Sequence, residues 1–240
     1  LGPLVALALG HLDFGWRWAF GLMALGPVAL VVLVPFQRMP AAPEATAAQK
    51  FAVYRRPFLW LGALALFVYC GVEWGVGAWF PSYWKAIPGA SALDPAWATS
   101  AFWLTFAVGR FVVGGWADKW GFQRFLTLSI GATLVVVLLW VLIPHPVAAL
   151  VWVLLFGFLI AGQYPTFVAL ISHRFPQASG QVTSFLSVFA SLGTFVWPPA
   201  VGAWADAQGI GALPWAQLAM TALLAVAAAG AFVAGRKTHG

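Results

Sequence analysis

Long apolar stretches alternate with short polar ones along the whole chain. The first, Leu1–Gly10, gives only about 15 Å of helix, half the thickness of a bilayer core, and reads as the end of a helix. A polar turn, His11–Arg17, precedes a full span at Trp18–Phe36. The longest polar segment, Gln37–Pro57, holds Pro40, Pro43, Glu44 and four basic residues and reads as a linker between two bundles. Further spans are expected at Phe58–Tyr83, Ala96–Ala117, Phe125–Ile143, Val147–Ser172, Gly180–Ala205 and Ile210–Gly235. Their connections are Lys85–Pro95, a tight charged turn Asp118–Arg124, Pro144-His145-Pro146 and His173–Ser179. The pattern predicts seven full helices and one partial helix. Residues 58–235 form a six-helix bundle, after a linker at 37–57 and before a short tail at 236–240.

Composition fixes the solvent. Of the 240 residues, 62% are hydrophobic and only 8% are charged, against roughly 25% charged in a soluble domain. Lipid must cover such a surface. Inside lipid the backbone has to satisfy its own hydrogen bonds, which leaves helices or closed barrels. Phe125–Ile143 runs nineteen residues without a formal charge and without the alternation of a barrel strand. The fold class predicted is therefore an all-α membrane protein.

Charge then orients the helices. With loops alternating between sides, Arg38, Lys50, Arg55, Arg56, Lys119, Arg124, Arg174, Arg236 and Lys237 share one side. Only Arg17 and Lys85 fall on the other. Basic residues collect on the cytoplasmic face, so the linker and the C-terminus are expected there. This asymmetry accounts for the net charge of +6 without any nucleic-acid partner. Trp16, Trp18, Trp84 and Trp97 near span ends fit interfacial belts. Cys70 is the single cysteine and cannot form an internal disulfide.

A weak repeat runs through the last six helices. Gly114-Gly115-Trp116-Ala117-Asp118-Lys119-Trp120-Gly121 recurs 88 positions later as Gly202-Ala203-Trp204-Ala205-Asp206-Ala207-Gln208-Gly209. Phe80-Pro81-Ser82-Tyr83 recurs 84 positions later as Tyr164-Pro165-Thr166-Phe167. Each offset moves the match by three helices and flips it in the membrane. Three-plus-three inverted repeats are a construction of secondary transporters.

One motif resembles a known family. Gly109-Arg110-x3-Gly114-x3-Asp118-Lys119-x-Gly121-x2-Arg124 closely resembles the cytoplasmic signature loop of the major facilitator superfamily, which joins helices eight and nine. Gly15-Trp16-Arg17-Trp18-x-Phe20 resembles the family's turn between helices five and six. The resemblance implies a major-facilitator-type helical bundle: residues 1–36 give partial helix five and helix six, and a complete C-terminal six-helix bundle follows. It also implies that Arg110, Gly114, Asp118, Lys119, Gly121 and Arg124 form a cytoplasmic gate rather than a solute site. The competing reading is a tight turn with topology-setting charges. Tyr69-x-Gly71-x-Glu73-x3-Gly77-x-Trp79, Tyr164-Pro165-Thr166, Arg174-Phe175-Pro176 and Pro198-Pro199-x2-Gly202 resemble the fucose and glucose permease-like branch. That branch moves sugars, often with protons or sodium.

Glu73 is the most informative residue. A charge at mid-helix costs roughly 2.5–3.5 kcal/mol on insertion scales, so an intramembrane carboxylate is expected to work as a proton or solute acceptor. The structural alternative is a carboxylate paired with Arg110 or with a residue of the preceding bundle. Gly71, Gly75 and Gly77 around it permit close approach of a ligand or a helix. Trp74, Trp79, Gln163, Tyr164 and Thr166 are candidates for lining a cavity, since aromatic faces beside amide and hydroxyl groups suit a sugar. For any single Trp, packing competes with that role. Pro165 and Pro198-Pro199 are expected to kink their helices.

Other chemistries find little footing. His11, His145, His173 and His239 lie on different loops and make no metal set. No Gly-Lys-Ser/Thr phosphate loop is present. No cofactor, metal or catalytic residue is expected. The leading expectation is a monomeric secondary transporter of a sugar or related polar solute in a bacterial inner membrane, working with the N-terminal helices of the same protein. A drug or metabolite efflux antiporter, a non-transporting sensor or scaffold, and an intramembrane enzyme are the alternatives.

Overall fold

A computed structural model describes residues 17–36, 51–90 and 94–236. The expected partial helix at 1–10, the turn up to residue 16, most of the linker and the last four residues lie outside the described residues. The chain divides into two compact units, Leu1–Glu44 and Ala45–Gly240. In the first, α1 (Arg17–Leu33) carries Pro27 and continues as a 3-10 turn, Val34–Phe36. It is the span expected at Trp18–Phe36.

The second unit holds α2 (Pro57–Ala86), α3 (Pro95–Trp120), α4 (Phe122–Leu142), α5 (Pro146–Ile160), α6 (Gln163–Ser172), α7 (Ser179–Gln208) and α8 (Leu213–Arg236). With α5 and α6 taken as one broken span, they make six segments long and apolar enough to cross a membrane, with mean hydropathy from 1.3 to 2.5. Every element among the described residues is helical.

Proline starts three of the helices. Pro57, Pro95 and Pro146 sit in first turns, where a missing N–H costs nothing. Asp94 caps α3 by accepting from the Ala96 amide at 2.7 Å. The turn expected over Asp118–Arg124 is shorter than its charges imply. α3 runs on through Trp120, and Gly121 alone separates it from α4. Its φ of 84° reverses the chain within one residue, so Asp118, Lys119 and Arg124 all lie on helices.

α2 is the central helix. Its most apolar window is 72% buried within the protein, against 28–44% for the other five spans, which leave faces for lipid. It packs most extensively on α7 and α8. Two tryptophans lock α2 to α7 reciprocally. Trp79 of α2 covers Gly202 and donates to the Pro198 carbonyl at 2.7 Å. Trp197 of α7 covers Gly71 and donates to the Phe67 carbonyl at 3.1 Å. In both cases the acceptor lies one turn before the glycine. A Cβ at either glycine would collide with the indole.

The span expected at Val147–Ser172 is broken at Ala161–Gly162. Pro165 has no N–H to give the Ala161 carbonyl. Neighbouring helices serve the carbonyls beside it: Ser129 of α4 donates to Leu159 at 2.7 Å and Tyr69 of α2 to Ile160 at 3.1 Å. Protein side chains thus replace helical donors that lipid cannot supply. The matching Pro81 leaves α2 continuous.

Candidate functional site

Glu73 lies near the midpoint of the thirty-residue α2 and is only 7% exposed. Arg110 lies a little past the middle of the twenty-six residues of α3. Its guanidinium stacks over the Phe106 ring at 4.7 Å and is otherwise exposed. Tyr69 stands one turn back from Glu73 on the same helix, and Arg110 lies on α3, which packs against α2. Tyr164, just past the break, brings its ring within 6.0 Å of Tyr69. The exposed Trp74 pairs with Trp103 of α3 at 5.7 Å.

The middle of α2 thus carries a buried carboxyl group with a hydroxyl one turn away and aromatic faces beside it, and the neighbouring α3 carries a guanidinium. The carboxyl group can take and release a proton. The guanidinium and hydroxyl can bond solute oxygens, and the rings can cover apolar faces. An apolar cavity of about 340 Å³ lies elsewhere, among α3, α4 and α5, and touches neither Glu73 nor Arg110. Among the described residues no three His, Cys, Asp or Glu side chains come together as a metal set.

The Major Facilitator Superfamily profile matches residues 1–198 and, in a second register, 66–240. The chain belongs to the Major Facilitator Superfamily. It is an integral, multi-pass membrane protein. Within the superfamily it is similar to Protein TsgA of Escherichia coli strains, 27% identical over 199 residues, which is 81% of this chain and 50% of that protein. Its fold is similar to the crystal structure of the superfamily transporter FucP in the outward conformation. The TM-score is 0.75 at 21% identity, covering 91% of this chain and 54% of that one. A variant of the E. coli Fucose:proton symporter FucP gives 0.76 at 20% identity, over 95% and 58%. The chain spans about half the length of these relatives.

The superfamily bundle gathers only some of the residues singled out in the sequence. Glu73, Trp74 and Tyr164 lie around the mid-span cluster. Gln163, Thr166 and Trp79 require correction. Gln163 is fully buried, and its amide nitrogen donates to Ser129 at 3.0 Å and Thr133 at 3.1 Å. It holds α6 to α4. Thr166 is buried and donates to the Gly162 carbonyl at 2.7 Å, closing the first turn of α6. Trp79 is spent on the α7 lock. The gate set also divides. Asp118 and Lys119 end α3 and Arg124 begins α4, all exposed at one end of the bundle. Arg110 stands eight residues from Asp118, about 12 Å along the axis, away from that end. The residue missing from the candidates was Tyr69. Its spacing of four from Glu73 is the signal that finds it.

Proposed function

We propose that this chain is the C-terminal part of a secondary transporter that moves a small polar solute, a sugar or related metabolite, by alternating access. Glu73 carries a coupled proton, and Arg110 and Tyr164 help to bind the solute. The observation that carries this reading is the buried carboxyl group of Glu73 near the midpoint of a membrane-spanning helix. Such groups are expensive in a membrane and persist where an ion or solute path runs. Support for a sugar and a proton comes from the fold's likeness to a protein described as a fucose:proton symporter.

The helices at 57–236 form one of two bundles, and the preceding helices of the same protein form the other wall of the path. The end bearing Lys119, Arg124, Arg174 and Arg236 faces the cytoplasm of a bacterial inner membrane, in keeping with the positive-inside rule. Gly114, Asp118, Lys119, Gly121 and Arg124 gate that end. The complete protein acts as a monomer.

The test is reconstitution of the complete protein in proteoliposomes with an imposed proton gradient and a panel of labelled sugars and polar metabolites. Gradient-driven accumulation of one of them is expected. Accumulation of none, with bulky amphipathic cations expelled instead, would favour drug efflux.

A further inference from the structure

We propose that Tyr69 is a positioning residue that ties the proton on Glu73 to the helix break between α5 and α6. The inference rests on the proton-carrying reading of Glu73 and adds the route by which a proton moves a helix. Tyr69 is fully buried, and its hydroxyl donates to the Ile160 carbonyl at 3.1 Å. Ile160 is the last residue of α5, and α6 begins only at Gln163. The final carbonyls of a helix need donors from outside it. Tyr69 is the side chain that supplies one here.

Glu73 lies four residues further along the same face of α2, so its carboxyl group stands one turn from the same hydroxyl. A tyrosine hydroxyl has one proton to give. When Glu73 is protonated, it donates to the Tyr69 oxygen, and the Tyr69 proton stays on the Ile160 carbonyl. When Glu73 releases its proton along the solute path, the carboxylate can only accept. A bond to a charged acceptor is roughly twice as strong as a neutral one, so the hydroxyl turns from Ile160 to Glu73. One proton leaves Glu73, and Tyr69 keeps its own. The Ile160 carbonyl then has no donor in a water-poor interior, and the break loosens.

The surrounding groups leave this competition to Tyr69. Arg110 is the charged side chain in the middle of α3, the neighbouring helix, and stacks on Phe106. Tyr164 of α6 faces Tyr69 ring to ring. Cys70, next to Tyr69 on α2, is a buried free thiol. From α8 the Gln217 amide, which does not titrate, packs against Gly75 two residues beyond Glu73.

The test is hydrogen exchange at the amides of 162–164, 166 and 167 in the complete protein in nanodiscs, across acid to alkaline pH and corrected for intrinsic rates. Protection in the wild type is expected to fall about 3- to 10-fold as Glu73 deprotonates, the equivalent of one net hydrogen bond. Tyr69→Phe should be poorly protected at every pH. Glu73→Gln should be protected at every pH. Wild-type pH dependence in Tyr69→Phe would overturn the coupling, whatever that variant's thermal stability. Solute-driven proton flux on the same variants separates the two claims. Flux surviving in Glu73→Gln removes the proton carrier and this inference with it. Flux lost there while Tyr69→Phe keeps its pH dependence removes the relay alone.

Discussion

Gly121 and Gly209 hold the same backbone conformation, φ 84° and ψ 139° at one and φ 83° and ψ 147° at the other. Each ends a long helix, α3 or α7, and each stands three residues after an aspartate and five after a tryptophan. The two glycines are 88 positions apart, the offset of the repeated motif. The internal repeat is therefore carried by backbone geometry as well as by letters. Nothing lies within 4 Å of a Cβ at either site, so an alanine meets no steric clash and only the left-handed backbone opposes it. Gly121→Ala and Gly209→Ala should each cost about 1–3 kcal/mol, read from unfolding midpoints in detergent. Gly211, equally open but without a positive φ, should tolerate alanine with little change.

The helices were legible in the sequence because lipid imposes length and apolarity on every span. All six spans of the second unit, and α1, fall within a few residues of their expected limits. The break at Ala161–Gly162 was hidden because hydropathy stays high across it. Pro165 marked the place, yet the matching Pro81 sits in an unbroken helix. The difference lies in Ser129 and Tyr69, donors contributed by helices distant in sequence. For the same reason Gln163 read as a solute ligand. Its polar type was visible, while its partners Ser129 and Thr133, some thirty residues away, were not. Arg110 fitted two sequence readings, the gate motif with Asp118 and a partner for Glu73, and spacing alone could not choose between them.

Trp79 separates packing from solute binding. Trp79→Phe keeps a ring over Gly202 and loses the bond to the Pro198 carbonyl. It should lower stability by about 0.5–1.5 kcal/mol with the solute KM unchanged. A changed KM at unchanged stability would return Trp79 to the solute path.

Ser129 supports the broken span from α4. Ser129→Ala leaves the Leu159 carbonyl without that donor and removes an acceptor from Gln163. A loss of about 1–3 kcal/mol is expected, together with faster amide exchange around 161–164. Unchanged exchange there would show that the carbonyl has another partner.

Arg110 and Asp118 should fail in different ways if one serves the solute and the other the gate. Arg110→Gln is expected to raise KM about 10- to 100-fold, the loss of charge-assisted bonds of about 1.5–3 kcal/mol. Asp118→Asn should slow turnover and leave solute affinity near wild type. Equal loss of affinity in both would rejoin them as one element.

Counterflow compared with accumulation tests the proton role of Glu73 most directly. Proteoliposomes of the complete protein carrying Glu73→Gln are assayed for exchange of labelled against unlabelled solute, and for uphill uptake driven by a proton gradient. Exchange needs no net proton movement and should persist, while gradient-driven accumulation should vanish. Accumulation at the wild-type level in Glu73→Gln would contradict the assignment of Glu73 as the proton carrier.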